Sequence, residues 1–139
     1  MSKAFAHLIL AAILATAAAQ VQVQAAASPD VVETAGTIVY VTGGIGEEER
    51  AALKKIEKQF NLKLVFARKD GAFVSDVAVA IKTPSGKVVL ADQAQGPIFM
   101  VKLPAGSYVV EATLEGNTIQ RKVTAGQGLK AETFVWPKG

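Results

Sequence analysis

The chain has no cysteine, and its single histidine, His7, lies close to the N-terminus. The first absence excludes a disulfide framework, a zinc site built from Cys and His, and a lipid-modified N-terminal cysteine. The second leaves Ser-His-Asp and Cys-His nucleophilic sites without a base once the N-terminal segment is removed, so that only Ser-Lys, Thr or carboxylate arrangements stay open. Charge of one sign is scarce as well: 15 Lys and Arg against 12 Asp and Glu give a net +3, dispersed along the chain. Nucleic-acid binding asks for a clustered basic face, so this mild basicity is a statement about solubility. Long hydrophobic runs are also missing. The stretch Ala4–Ala19 is 16 residues and contains His7, short of the ~18–20 apolar residues that span hydrocarbon.

What the N-terminus does carry is a basic start at Lys3, an apolar run from Leu8 to Leu14, and small residues from Ala15 to Ala19. This is the layout of a secretory signal peptide. Cleavage after Ala19 or after Ala27 satisfies the small-residue rule equally well. Export to the periplasm or the medium is therefore expected, with no stable membrane insertion after cleavage. Removal of residues 1–27 takes Lys3 and His7 away and leaves a net charge of +2 on about 112 residues, room for one domain with one core.

Residues 28–36 are polar and aperiodic and read as a mobile lead-in. Order is expected from Thr37, where Thr37–Val41 is β-branched and aromatic and reads as a buried strand. From Glu47 the period changes, with Leu53, Ile56 and Phe60 on one helical face and Arg50, Lys54, Lys55, Glu57 and Lys58 around the rest. Such a helix does not stand alone. Ordering each residue costs about 1–2 kcal/mol of backbone entropy, and three apolar side chains return only about 1.5–3 kcal/mol each. Asn61 reads as a left-handed helix terminator, and Leu62, Leu64 and Phe66 then alternate as one side of a strand. The organisation over 37–67 is strand, helix, strand, either packed on the remainder or forming a minor lobe.

The loop Gly43-Gly44-Ile45-Gly46 between the first strand and the helix looks like a phosphate cradle. A cradle uses free N–H groups at the helix start and usually a lysine. Here Glu47, Glu48 and Glu49 follow directly; they complement the helix dipole and repel a polyphosphate. The glycines read as a tight turn needing positive φ. A metal site on the three glutamates is excluded by their divergent directions on a helix.

After Phe66 the chain breaks into short alternating segments separated by turn signals, the mark of a sandwich. Phe73–Thr83 alternates with Val77, Val79 and Ile81 on one face; Pro84-Ser85-Gly86 turns; Lys87–Leu90 returns. Phe99, Val101 and Leu103 oppose Ile98, Met100 and Lys102. Tyr108, Val110, Ala112 and Leu114 oppose Ser107, Val109, Glu111 and Thr113, one dry face and one wet. Glu115-Gly116-Asn117 is a hairpin turn, Thr118–Thr124 runs back, and Leu129–Trp136 is the last strand. In Leu103-Pro104-Ala105-Gly106-Ser107-Tyr108, Pro104 and Gly106 build a corner at which the Tyr108 hydroxyl can reach backbone.

These signals carry a resemblance. Asp76–Trp136, with Asp76-Val77 opening a strand, Gly86 in a hairpin, Gly96 before the next strand and the Leu-Pro-x-Gly-x-Tyr corner at 103–108, resembles the carboxypeptidase regulatory-like domain of transthyretin-like (prealbumin-like) topology. The resemblance implies a small antiparallel prealbumin-like β-sandwich, and residues 37–67 depart from its pattern. Together with the periodicity, the expected fold is mainly β, a single domain over 37–139, with one N-terminal α-helix in the strand-helix-strand portion 37–67 packed on a regulatory-like sandwich at 68–137. It implies an accessory or binding module with no catalytic residues to carry over. The related hydroxyisourate hydrolases depend on histidines and a C-terminal tail that this chain does not have.

Several residues stand out. Arg121 shares strand parity with Ile119 and Val123, so its stem packs and its head reaches the rim, or it binds an anion. Trp136 is a core or edge anchor, or a sugar-stacking platform together with Tyr40. Ile98, Met100, Ala78 and Ala80 make the second sheet face less polar than a solvated one; the helix face of Leu53, Ile56 and Phe60, a partner protein or a second copy would cover it. The expected function is a non-catalytic exported binding domain of the cell envelope, working by protein–protein contact or self-association, with carbohydrate or small-ligand binding as the alternative. No catalytic residue, metal site or cofactor is expected, and no binding residue is assigned.

Overall fold

Leu62, Leu64 and Phe66 alternate with Lys63 and Val65, and the chain does what that period asks: all three are fully buried along one strand. The computed structural model describes residues 33–35 and 38–137; the signal-peptide reading of residues 1–27 falls outside them. The elements are β1 (Glu33–Ala35), β2 (Ile38–Gly43), α1 (Glu47–Ile56) ending in a 3-10 turn at Glu57–Gln59, β3 (Leu62–Arg68), β4 (Ala78–Lys82), β5 (Val88–Gln93), β6 (Ile98–Lys102), β7 (Gly106–Leu114), β8 (Asn117–Ala125) and β9 (Lys130–Trp136).

They form two sheets, ordered β1-β2-β6-β3-β9 and β5-β4-β7-β8. Neighbours run antiparallel except β3 and β9, which are parallel over Leu62–Arg68 and Lys130–Trp136. Over the described residues the fold is a mainly β sandwich with one helix. Its main core lies between the sheets, where Leu62, Leu64, Phe66, Phe99 and Phe134 of the first meet Ile81, Val110 and Ala112 of the second, all with no exposed surface. Each such aromatic or aliphatic side chain contributes about 1.5–3 kcal/mol.

The two portions on either side of residue 67 are not separate lobes, because β6 lies between β2 and β3 in one sheet. α1 packs on that sheet's outer face, where Leu53 joins Val41, Phe60, Ile98 and Met100 in a second apolar cluster. This covers Ile98 and Met100 but not Ala78 and Ala80. Those alanines belong to β4 in the other sheet, where Ala78 is exposed and Ala80 half-buried, so the four residues do not share a face as the sequence suggested.

Other differences have local causes. The lead-in contains β1, whose residues Glu33–Ala35 pair with Ile38–Tyr40 of β2; this satisfies backbone groups along an edge that would otherwise lack partners. β4 starts at Ala78 rather than Phe73, because Asp76 adopts φ 62° and turns the chain, a conformation that Asp tolerates better than most residues. The alternation at Val77, Val79 and Ile81 survives, all three being buried. The β7–β8 turn has Glu115 at φ 48° and Gly116 at φ 82°, with Leu114 opposite Asn117. Two consecutive positive φ values make the two-residue turn whose twist matches a hairpin. At the corner, the Tyr108 hydroxyl donates to the Pro104 carbonyl at 2.6 Å.

Candidate interaction surface

The glycine loop is already occupied by the chain itself. The N-cap of α1 is Gly46, which has no capping side chain, and Glu49 reaches back so that its Oε1 accepts from the Gly44 amide at 2.7 Å and the Ile45 amide at 3.1 Å. These are N–H groups a phosphate would need. Gly44 at φ 102° and Gly46 at φ 89° supply the turn, and Arg50 Nη1 donates to the Gly44 carbonyl at 3.2 Å. The loop is thus bonded from both its amides and its carbonyl, and it holds Ile45 outward, 62% exposed.

A second segment meets it. After β3 the chain makes a tight turn, with Gly71 N–H donating to the Arg68 carbonyl at 2.8 Å, Arg68 N–H to the Ala72 carbonyl at 2.7 Å and Ala72 N–H to Asp70 Oδ1 at 3.0 Å. Phe73 then bridges back to Ala67 and projects with 56% of its surface exposed. The Arg50 guanidinium stands 5.4 Å from the Phe73 ring centroid, within cation–π range. Between the two segments lies a cleft of about 300 Å³, walled by Ile45, Arg50, Phe73, Val74 and Pro97. Ile45 and Phe73 are the two most exposed large apolar side chains among the described residues, and both stand on hydrogen-bonded backbone.

Two other clefts offer less. One of about 390 Å³ beside Trp136 contains Arg68, already paired with Glu115 at 3.2 Å and donating to the Pro137 carbonyl at 3.4 Å. One of about 470 Å³ along β8 is lined by Lys122 and Lys130 and contains none of the large apolar residues that are strongly exposed.

The residues singled out from the sequence are in structural roles. Arg121 Nη1 donates to the Thr133 carbonyl at 2.6 Å and lies 3.4 Å from Glu132 Oε1, with its guanidinium 4.8 Å from the Phe134 ring centroid. It ties edge strand β8 of one sheet to edge strand β9 of the other, at the rim. Trp136 is 2% exposed, donates Nε1–H to the Asn117 carbonyl at 2.9 Å, and packs near Phe66 and Phe134; no ring face is left for a sugar. Tyr40 is 6% exposed, stacks on Phe99 and bonds through its hydroxyl to Asp92 Oδ2 at 2.5 Å, linking the sheets at the opposite edge. On the outer face, Lys82 Nζ lies 2.9 Å from Glu111 Oε1. Hydrogen bonding from Lys82 is the chief reason the Glu111 carboxyl is held below its ordinary pKa; desolvation opposes this, while the Lys82 charge and a bond from Gln120 add to it.

Asn61 is a correction. It does not adopt positive φ and does not end the helix, which finishes in the 3-10 turn at Glu57–Gln59. Its side chain is buried, with Nδ2 donating to the Leu103 carbonyl at 2.8 Å and the Gly126 carbonyl at 3.0 Å, and Oδ1 accepting from Leu103 N–H at 2.8 Å. It fastens the start of β3 to two distant loops. The signal available was an amide between two apolar residues, Phe60 and Leu62, a position where a buried polar side chain needs both donor and acceptor partners. Among the described residues, every buried side-chain nitrogen and oxygen has a hydrogen-bond partner, and no three His, Cys, Asp or Glu side chains group as metal ligands. No helix among them is long and apolar enough to cross a membrane.

Sandwich and corner define a class, the small mainly β module with, among the described residues, a single helix on one sheet. Within that class, the chain belongs to the family of the Rhizobiales growth-associated tandem repeat domain, whose model matches residues 59–136. The match takes in β3 to β9 and begins after α1, so Phe73 lies inside it and Ile45 and Arg50 before it. No curated protein matches the chain.

Proposed function

We propose that this protein is a non-catalytic, exported binding domain of the cell envelope that works by protein–protein contact through the Ile45–Phe73 cleft. The observation that carries the reading is the presentation of two exposed apolar side chains, at 62% and 56%, on loops locked by Glu49 and by the Arg68–Phe73 turn. Four carboxylates are committed to structural contacts: Glu49 on the glycine loop, Asp92 on Tyr40, Glu111 on Lys82 and Glu132 on Arg121. The signal-like residues 1–27 support export to the periplasm or medium. The family description, growth-associated and tandem repeat, supports a role beside other envelope proteins during growth. The order of strands from β3 to β9 and the Tyr108–Pro104 corner support a finer kinship with carboxypeptidase regulatory-like accessory domains.

The test is site-specific photo-crosslinking in the producing cells. A photoreactive residue at position 73 is expected to form protein adducts, and one at the exposed Ala78, on the other sheet, is not. Absence of adducts at 73, or equal adducts at both positions, refutes the reading. Envelope fractions are expected to contain protein starting at Gln20 or Ser28; cytoplasmic protein that retains Met1 refutes the export.

A further inference from the structure

The cleft along β8 differs from the other two in the chemistry of its walls. About 470 Å³ in volume, it is bounded by Pro84 from the β4–β5 turn, Ser107 and Val109 of β7, Lys122 and Thr124 of β8, and Lys130 at the start of β9, and no carboxylate lines it. Among the described residues, Lys122 and Lys130 form no ion pair, and neither their side chains nor the hydroxyls of Ser107 and Thr124 make a hydrogen bond. Lys54, Lys55 and Lys58 of α1 are without ion pairs too, but they line none of the three clefts. The carboxylates that follow on the same strand faces are already engaged. Glu111, beyond Val109 on β7, is held by Lys82 and by Gln120, each at 2.9 Å, and Glu132, beyond Lys130 on β9, lies 3.4 Å from Arg121. The two ammonium charges are therefore not compensated from within the described chain, and a walled cleft concentrates their field.

Each kind of wall group selects one feature of a ligand. Two lysines attract anionic oxygen, and as point charges on flexible stems they take phosphate or carboxylate alike, without the planar geometry that arginine favours. The Ser107 and Thr124 hydroxyls can donate to or accept from neutral hydroxyl groups. Pro84 and Val109 offer C–H surface, while the Tyr108 hydroxyl is committed to the Pro104 carbonyl. The volume falls within the range of about 300–1,000 Å³ typical of small-ligand sites. We infer that this cleft binds an anionic sugar, with its phosphate or carboxylate at Lys122 and Lys130, its hydroxyls at Ser107 and Thr124, and the C–H face of its ring against Pro84 and Val109. Trp136 and Tyr40, both buried, take no part. The site shares no residue with the Ile45–Phe73 cleft, so it stands or falls independently of the protein-contact reading. All of its residues lie within residues 59–136, so it belongs to the matched domain and not to the β1–α1 portion.

The test is a two-dimensional NMR titration of the purified protein with glucose 6-phosphate, digalacturonate, glucose and inorganic phosphate. Saturable shifts at the amides of Ser107–Val109 and Lys122–Thr124 are expected with glucose 6-phosphate or digalacturonate, at an affinity at least about tenfold above that for glucose or inorganic phosphate. The tighter of the two anionic sugars identifies phosphate or carboxylate as the group bound. Lys122→Gln and Lys130→Gln are each expected to weaken that binding by about tenfold, as for loss of one charged hydrogen bond, and added salt to weaken it in wild type. Both lysines are exposed and unbonded, so urea midpoints of the variants are expected to match wild type; should either unfold, the salt dependence in wild type is the deciding measurement. Ile45→Asp is expected to leave the titration unchanged, which separates this site from the protein-contact cleft. No saturable binding of either anionic sugar, equal affinity for glucose or inorganic phosphate, shifts confined to other residues, or a folded double lysine variant with wild-type affinity overturns the site.

Discussion

Replacing Asn61 by alanine removes three hydrogen bonds at once and leaves the Leu103 N–H, the Leu103 carbonyl and the Gly126 carbonyl without their partner. A typical internal hydrogen bond is worth about 0.5–1.5 kcal/mol net, and a buried group left unpaired costs about 1–3 kcal/mol. Both bonds to Leu103 are buried, whereas the bond to Gly126 is part-buried, so water replaces the last more easily. The expected loss is about 3–4 kcal/mol. Against a total stability of about 5–15 kcal/mol for a domain of this kind, that is a large share, and with a urea m-value of about 2 kcal/mol/M it lowers the midpoint by about 1.5–2 M. Equilibrium urea unfolding of wild type, Asn61→Ala and Asn61→Gly is the assay. A left-handed terminator would tolerate glycine well, whereas a buried amide hub loses as much in Asn61→Gly as in Asn61→Ala or more. A loss below about 1 kcal/mol in Asn61→Ala, or a glycine variant as stable as wild type, refutes the hub.

Three further outcomes follow from single contacts. In Gly96→Ala the new Cβ would collide with the Gly43 carbonyl at the end of β2; the β5–β6 loop or the end of β2 must shift, and thermal unfolding should report a loss of about 1–3 kcal/mol, the range for forced overpacking. Glu49→Ala releases the Gly44 and Ile45 amides and removes a first-turn charge, for a loss of about 1–2 kcal/mol by urea titration, with faster hydrogen exchange at those two amides. Because the folded pKa of Glu111 is lowered, its contribution to stability is complete above the ordinary carboxylate value of about 4.3 and disappears as pH falls through the lowered one. Wild type should therefore lose stability relative to Glu111→Gln across that acid window, and identical acid curves would show that Lys82 gives the carboxylate no preference.

Much of the local structure was legible in the residues. The dry series Tyr108, Val110, Ala112 and Leu114 and the buried series Leu62, Leu64 and Phe66 lie where alternation put them, because a strand sends successive side chains to opposite faces regardless of its neighbours. The Glu115-Gly116 turn and the Tyr108–Pro104 corner were readable for the same reason, being contacts within a few residues. Asn61 was misread as a cap because its partners lie 42 and 65 positions away, and a short-range signal, the end of a helical period, stood beside it.

The sequence by itself therefore determined which faces are apolar, where the chain turns, that one helix must dock on a sheet, and that the glycine loop is followed by repelling carboxylates. Only the tertiary structure decided that β6 separates β2 from β3, that β3 and β9 run parallel, and that Ile45, Arg50 and Phe73 meet in one cleft. The physical reason is range. Backbone sterics and periodicity act between neighbours in the chain, whereas strand order and the cleft come from summed burial and hydrogen bonding between segments far apart, for which no local pattern is unique.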